Sequence, residues 1–180
     1  MVEEVDYDQL EPENYEKIAE AIGHANPILD VGCGEGELAN FLAAAMGSHV
    51  QGIDVSGTKL VKAREASRAR DLSHLVRFIE ADASRLDFLV DESFGAVVSV
   101  YTLHELDNPR KALKELGRAL GTKGKLVVVD FVKGGKAERL WRERYYTPEE
   151  IESMLQQAGF SRADIEHVRD DVVFVSSVKI

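Results

Sequence analysis

An apolar run that ends in three closely spaced glycines constrains this chain most strongly. The run Ile28–Gly36 reads ILDVGCGEG, follows Pro27 and precedes apolar residues at helical spacing. Glycines let the main chain turn sharply and let a ligand approach it closely, and the start of a helix adds free N–H groups. The sequence therefore predicts a strand–turn–helix unit in which Gly32, Gly34 and Gly36 form a site for a nucleotide-like ligand.

The rest of the chain alternates short apolar runs with amphipathic segments, which is typical of an α/β fold with a mainly parallel sheet. Asn108-Pro109 and the capping box at Thr147 each predict the start of a helix. The last two apolar runs flank Asp170-Asp171 so closely that they predict an antiparallel hairpin. The predicted strands are Ile28–Val31, Val50–Ile53, Val76–Ile79, Ala96–Val100, Leu126–Val129, Ala163–Val168 and Val172–Val178. The predicted helices are Glu13–Ile22, Ser56–Arg70, and the segments between Gly36 and Gly47, from Pro109 to Gly121, and from Thr147 to Gly159.

Length, charge and cysteine content exclude several classes of protein. The 180 residues favour a single domain, residues 1–180. A formal net charge of −10 argues against broad nucleic-acid binding, which needs positive charge. The single cysteine, Cys33, allows no intramolecular disulfide, so we expect a cytoplasmic protein. No run of residues has the length of a membrane span or the spacing of a metal site, so we expect neither a membrane partner nor a metal.

A second acidic residue completes the predicted ligand site. Asp54 ends the second predicted strand, 18 residues after Gly36, where a carboxylate can accept both hydrogen bonds of a ribose diol. The glycine spacing is Gly-x-Gly-x-Gly and is preceded by Asp30, whereas a dinucleotide site usually reads Gly-x-Gly-x-x-Gly. A dinucleotide-dependent oxidoreductase is therefore an alternative that the spacing disfavours.

The stretch from Asp30 to Gly36 resembles the first motif of the class I S-adenosylmethionine-dependent methyltransferases, and the resemblance extends over about residues 26–180. It implies a doubly wound, seven-stranded, mainly parallel sheet with helices on both faces and an antiparallel C-terminal strand. It also implies S-adenosylmethionine as the cofactor and S-adenosylhomocysteine as the product. Asp54 matches the acid of the second strand, and Glu80–Ala83 resembles the place where an acid meets the adenine amino group. The cofactor-binding residues that the resemblance implies are Asp30, Gly32, Cys33, Gly34, Gly36, Asp54, Val55, Asp82, Ala83 and Ser99.

Some of these residues also have a purely structural interpretation. Asp30 either lies near the methionine amino group or accepts hydrogen bonds from loop amides. Asp82 either contacts adenine or is an exposed loop acid or a helix cap. Cys33 is expected to act mainly as a small apolar side chain that fills space between the glycines.

The acceptor side is expected after the fourth strand, because ligands lie at the carboxyl ends of the strands in open α/β sheets. His104 is the candidate base, and Tyr101 is a candidate for orienting the substrate. Alternatively, His104 caps the next helix or packs against the glycine loop. No Pro-Pro-aromatic sequence follows the fourth strand, which argues against transfer to a nucleic-acid base, so we expect a small-metabolite acceptor. A subunit that binds S-adenosylmethionine without transferring its methyl group is the non-enzyme alternative.

Two short segments are expected to border the site. The basic segment Lys133–Arg144, which includes Trp141, follows the fifth strand and either holds an anionic or aromatic substrate or forms a solvated lip. Gly134-Gly135 could hinge this segment as a lid. Residues 1–25 form the predicted N-terminal helical segment that covers the site. Because both segments are short, we expect an open site whose wall a second subunit could complete, as in a homodimer.

Overall fold

Seven strands form one sheet in the computed structural model, which describes residues 11–180. In chain order the strands are β1 (Ile28–Val31), β2 (Val50–Asp54), β3 (Val76–Glu80), β4 (Phe94–Val100), β5 (Leu120–Phe131), β6 (Asp164–Arg169) and β7 (Val172–Val178). They lie across the sheet in the order β3-β2-β1-β4-β5-β7-β6, and all pairings among β1 to β5 are parallel. β7 runs antiparallel to both β5 and β6. The predicted mainly parallel sheet with an antiparallel C-terminal hairpin is confirmed.

Helices cover both faces of the sheet. They are α1 (Glu11–Ile22), α2 (Glu37–Met46), α3 (Gly57–Ala69), α4 (Pro109–Ala119), α5 (Lys136–Trp141) and α6 (Pro148–Gln157). In β1, Ile28 belongs to one buried cluster and Leu29 to the other, because successive side chains of a strand point to opposite faces. The first cluster contains Ile18 of α1 and Leu60 of α3, and the second contains Leu113 of α4. This two-sided covering confirms the doubly wound architecture.

Side-chain caps fix where α4 and α6 begin. The Asn108 side chain accepts a hydrogen bond from the Lys111 N–H at 3.1 Å. Thr147 accepts from the Glu150 N–H at 3.2 Å, and the Glu150 carboxylate accepts from the Thr147 N–H at 2.8 Å. A cap of this kind stabilises a helix by about 1 kcal/mol. Both predicted starts are confirmed.

Two elements differ from the sequence prediction. β5 begins at Leu120 rather than at Leu126, so α4 ends before Gly121. Leu120 pairs with Phe94, and a shift in register follows this pair. The sequence pattern misses this extension because the residues between the two leucines are glycine or polar. The sequence also does not predict α5, a helix of 6 residues with no side-chain cap at its start.

No helix within residues 11–180 is both long and apolar enough to cross a bilayer. The same residues include no group of three or more His, Cys, Asp or Glu side chains placed to hold a metal ion. Residues 1–10 of the predicted site-covering segment lie outside the described residues.

Replacing Gly32 by Ala tests how tightly the end of β1 packs against the segment after β4. A Cβ atom at Gly32 would lie 2.1 Å from Oγ1 of Thr102, and Gly32 has a φ of +71°. We expect Gly32→Ala to lower the free energy of unfolding by about 2–5 kcal/mol, because steric overlap adds to left-handed strain. Gly47→Ala is the matched control, since Gly47 has a φ of +65° and no atom within 4 Å of its added Cβ. Equal losses for the two variants in urea unfolding would contradict the expected packing.

Candidate active site

The glycine loop and the acid of the second strand lie side by side. The N–H of Gly34 donates to one carboxylate oxygen of Asp54 at 2.9 Å, and the N–H of Ser56 donates to the other at 2.8 Å. The N–H groups of Gly32 and Cys33 both donate to the carbonyl of Ile53, at 2.8 and 3.0 Å. The loop after β1 is therefore tied to the end of β2 by its own main chain. Asp54 is 9% exposed, so its carboxylate borders the loop from a largely buried position.

A cleft of about 240 Å³ opens above this loop. Asp30 lies at the cleft and is 2% exposed, and its Oδ2 has no hydrogen-bond partner among the described residues. Burial and the negative charge of Asp54 raise the pKa of Asp30 to about 7, although a hydrogen bond from the backbone of Ala39 lowers it. A buried carboxyl group with an unpartnered oxygen and a raised pKa is stabilised by a cationic or hydrogen-bond-donating neighbour. The lining residues are Tyr15, Asp30, Gly32, Cys33, Gly34, Glu35, Glu37, Leu38, Lys59 and Val100.

Cys33 is a buried thiol at the edge of this cleft. Its Sγ lies 2.7 Å from the position that a Cβ of Gly52 would occupy, so it fills space between the loop and β2. Burial raises the pKa of the Cys33 thiol, and the charges of Asp30 and Asp54 raise it further. The thiol therefore stays protonated and chemically inert at neutral pH.

The remaining predicted cofactor residues lie at the ends of neighbouring strands. Val55 directly follows β2 and is 72% exposed. Asp82 is exposed, and hydrogen bonds from Ser84 lower the pKa of its carboxyl. Ala83 is buried, and Ser99 is buried within β4. The structure thus groups Val55, Asp82 and Ala83 at the ends of β2 and β3, whereas Ser99 precedes the cleft-lining Val100.

His104 lies in a 3₁₀ turn, Leu103–Glu105, and forms a short contact with a residue that the sequence analysis missed. Its Nδ1 lies 2.6 Å from Oδ1 of Asp130, and its backbone N–H donates to Oδ2 of the same carboxylate at 3.0 Å. Asp130 is 1% exposed and also accepts from the N–H of Phe131 at 2.7 Å. Asn108, not His104, caps α4.

The environment of His104 favours its protonated form. Burial lowers its pKa, but the hydrogen bond and charge of Asp130, together with the charges of Glu105 and Glu143, outweigh burial and raise the pKa. The signal that could have revealed Asp130 is its position. It lies near the carboxyl end of β5, next to the strand that leads to His104, and parallel strands end at the same sheet edge.

Aromatic rings pack against the His104 ring. We call Tyr101, Phe131, Trp141 and Tyr145 the aromatic cluster. The Tyr145 ring lies 4.8 Å from the His104 ring, and the Tyr101 and Phe131 rings stack at 4.6 Å. Tyr101 has a φ of +50°, an uncommon conformation for a bulky residue that concentrates at functional sites. The two predicted acceptor-side residues therefore lie close together, because Tyr101 belongs to the aromatic cluster and the His104 ring contacts two other members of it.

Helix α1 reaches the same region from the N-terminal side. The amide of Asn14 donates to the Tyr101 hydroxyl at 3.5 Å, and Tyr15 lines the cleft beside Asp30. The Tyr15 ring also contacts Phe41 of α2 at 5.5 Å between centroids. Part of the predicted covering segment, residues 14 and 15, thus borders both the cleft and the aromatic cluster.

Comparison with known proteins identifies the family. The family model described as "Methyltransferase domain" matches residues 29–128, more than half of the chain. The chain is a member of the S-adenosylmethionine-dependent methyltransferase family. It is 30% identical over 177 residues to the O-methyltransferase rstn1 of Aspergillus nomiae, which covers 93% of this chain and 77% of that protein. The chain spans 42–58% of the length of several other curated methyltransferases that it matches.

Solved structures share the fold of this methyltransferase domain. A methyltransferase from Aquifex aeolicus has a TM-score of 0.79 at 24% identity and covers 93% of this chain and 90% of its own. The [4+2]-cyclase SpnF has a TM-score of 0.86 at 24% identity and covers 95% of this chain and 81% of its own. The family decides against a dinucleotide-dependent oxidoreductase. The cyclase shows that the fold itself is compatible with more than one chemistry.

Asp30→Asn tests whether the buried negative charge of Asp30 destabilises the folded domain. The folded pKa of Asp30, about 7, lies above the value of 3.8 for a free carboxyl. A raised pKa favours the fold below the unfolded pKa, and this contribution is lost as pH rises through the folded pKa. We therefore expect Asp30→Asn to raise the free energy of unfolding by about 1–4 kcal/mol near pH 8 and much less near pH 4.

The measurement is urea unfolding at both pH values, with the exposed Asp87→Asn as a control of equal charge change. A destabilised Asp30→Asn protein at the higher pH would show that the carboxylate is instead favourable in the fold.

Proposed function

We propose that this methyltransferase domain moves a methyl group from S-adenosylmethionine to the hydroxyl oxygen of a small metabolite, with S-adenosylhomocysteine as the second product. The observation that carries this proposal is the buried His104–Asp130 contact of 2.6 Å, which follows β4, the strand paired with β1 and its glycine loop. A base is needed when the nucleophile must lose a proton, as a hydroxyl does. The name of the relative rstn1, an O-methyltransferase, supports an oxygen acceptor.

The cleft fits the proposed cofactor in its polar groups. The unpartnered Oδ2 of Asp30 is suited to the ammonium group of the methionine part, which would keep that carboxyl ionised. Asp54 is suited to the ribose hydroxyls, since each of its oxygens accepts only one hydrogen bond from the loops and retains a further lone pair. Exposed Val55, with Asp82 and Ala83, is suited to the adenine ring and its amino group.

The bound cofactor supplies a methyl carbon that the adjacent sulfonium makes electrophilic. The main task of the protein is then to align the acceptor with that carbon. Asp130 accepts a hydrogen bond from Nδ1 of His104, which leaves the lone pair on Nε2. Nε2 receives the proton of the acceptor hydroxyl, and the charge of Asp130 stabilises the resulting imidazolium. Tyr101 orients the acceptor with its ring face.

The non-enzyme alternative is a subunit that binds S-adenosylmethionine and transfers nothing. Formation of S-adenosylhomocysteine with a metabolite extract, and its absence without one, distinguishes the two functions. We extend the proposal to a small-molecule acceptor rather than a nucleic acid, because the net charge is −10. A cytoplasmic location and a homodimer remain predictions.

Asp54→Ala tests the cofactor site. We expect at least tenfold weaker binding of S-adenosylhomocysteine, about 1.4 kcal/mol or more, because the ribose loses its acceptor. Isothermal calorimetry measures the affinity, and circular dichroism checks that the variant is folded. The exposed Asp164→Asn serves as the control for the loss of one negative charge. Unchanged affinity in folded Asp54→Ala would remove the ribose assignment.

His104→Ala and Asp130→Asn test the acceptor side, after a screen of hydroxylated compounds with a labelled methyl donor provides an acceptor. We expect His104→Ala to lower kcat by roughly 10²–10⁴-fold and to leave affinity for S-adenosylhomocysteine nearly unchanged. For the unmodified chain, kcat/KM should rise with pH as His104 loses its proton.

Asp130→Asn should move this rise to lower pH, because the bond and charge of Asp130 raise the His104 pKa. A pH profile that Asp130→Asn does not shift would show that His104 is not the titrating base.

A further inference from the structure

The segment between β5 and α6 forms a loop whose two ends meet. The N–H of Lys133 donates to the carbonyl of Tyr146 at 3.1 Å, and Val132 bridges to Tyr146. Inside the loop, Ala137 is 0% and Tyr145 is 3% exposed, so both anchor it to the core. The residues between these anchors at positions 140–144, which we call the lid tip, are all exposed. This is the geometry of an Ω-loop with a fixed base and an exposed tip.

The lid tip places a carboxylate against the open nitrogen of His104. Glu143 Oε2 lies 3.5 Å from His104 Nε2 and accepts a hydrogen bond from the Tyr145 hydroxyl at 3.0 Å. Arg142, the preceding residue, has a φ of +55°, and Gly134 has a φ of +84°. Left-handed positions on both sides of α5 set the turn that directs Glu143 inward.

The two carboxylates on either side of His104 differ in strength. The Asp130 side chain is 2% exposed and lies 2.6 Å from Nδ1, whereas the Glu143 side chain is 49% exposed and lies 3.5 Å from Nε2. A half-exposed ion pair of this length contributes about 0–1 kcal/mol. Asp130 therefore fixes the ring, whereas release of Glu143 costs only this weak ion pair and the hydrogen bond from Tyr145.

Three carboxylates face His104 from three elements: Asp130 of β5, Glu105 of the 3₁₀ turn and Glu143 of the lid tip. The Tyr145 ring contacts the His104 ring at a tilt of 32°, and the Tyr145 hydroxyl donates a hydrogen bond to Glu143. With all three carboxylates present the imidazolium is favoured, and an imidazolium cannot accept a proton. Removal of Glu143 leaves Nε2 open and makes the neutral ring easier to reach.

We propose that Glu143 is a positioning residue. Without an acceptor, its carboxylate occupies the position next to Nε2 of His104 that the acceptor hydroxyl takes during the reaction. The lid tip moves away when a hydroxylated acceptor binds there. The proposal rests on the proposed function, in which Nε2 receives the acceptor proton. Movement of the lid tip then opens the acceptor site, and the contact between Glu143 and His104 keeps it closed. Deprotonation of His104 removes the positive charge that attracts Glu143, so it should also loosen the lid tip when no acceptor is present.

The chain offers a built-in probe of this movement, because Trp141 of the lid tip is its only tryptophan. The test compares the unmodified chain with Glu143→Gln, which keeps the shape and removes the charge. Glu65→Gln on α3 is the matched control, since Glu65 is exposed and lies on the face of the sheet opposite α4. Histidine NMR titration gives the His104 pKa, assigned by the signal that His104→Ala lacks. Acrylamide quenching of Trp141 near pH 6 and near pH 9 reports exposure of the lid tip on either side of histidine titration.

In the unmodified chain and in Glu65→Gln, we expect Trp141 quenching to increase with pH as His104 titrates. In Glu143→Gln, we expect a His104 pKa lower by roughly half a unit and strong quenching already at the lower pH. An unchanged His104 pKa, or quenching that follows the control at both pH values, would overturn the proposal. Neither measurement requires methyl transfer. The proposal can therefore fail while the proposed function stands, and the reverse is equally possible.

Discussion

The contact between Gly32 and Thr102 joins the two halves of the site. Gly32 directly follows β1 and begins the glycine loop, and no Cβ fits there because Thr102 Oγ1 would lie 2.1 Å away. Thr102 in turn donates to the carbonyl of Val100 at 2.9 Å and directly precedes the turn that carries His104. Because Gly32 has no side chain, the glycine loop packs directly against the segment that carries the proposed base. Because β1 and β4 pair in parallel, Gly32 and Thr102, which follow these two strands, lie at the same edge of the sheet.

Two buried acids at this edge serve opposite purposes. Asp130 accepts hydrogen bonds from His104 and from the N–H of Phe131, so the protein itself satisfies its charge. Asp30 is as deeply buried, yet one of its oxygens has no partner among residues 11–180. An unsatisfied buried carboxylate is costly in the free protein, and that cost is recovered only when a donor or cation arrives. In the function that we propose, the first acid orients the base His104 and the second receives the ammonium group of the cofactor.

Local signals in the sequence predicted the parts of this structure that depend on neighbouring residues. The glycine turn, the Asn108 and Thr147 caps and the terminal hairpin each depend on a few consecutive positions. The pairing of His104 with Asp130 joins residues 26 positions apart, and it depends on how β4 and β5 align. The early start of β5 likewise comes from pairing with Phe94 across a shift in register. Hydrophobic periodicity contains no information on such alignments, so the sequence indicated His104 without its partner.

The separation of anchors from the lid tip would allow the movement that we propose without opening the core. Ala137 and Tyr145 bury almost all of their surface, and apolar burial of this kind resists local opening. The residues between them have exposed side chains, and their contacts include the edge contact of Trp141 with Phe131 and the long ion pair of Glu143, whose loss costs little. A closely related sheet supports a cyclase as well as methyltransferases. Loops such as this one can change without disturbing the strands of a shared fold.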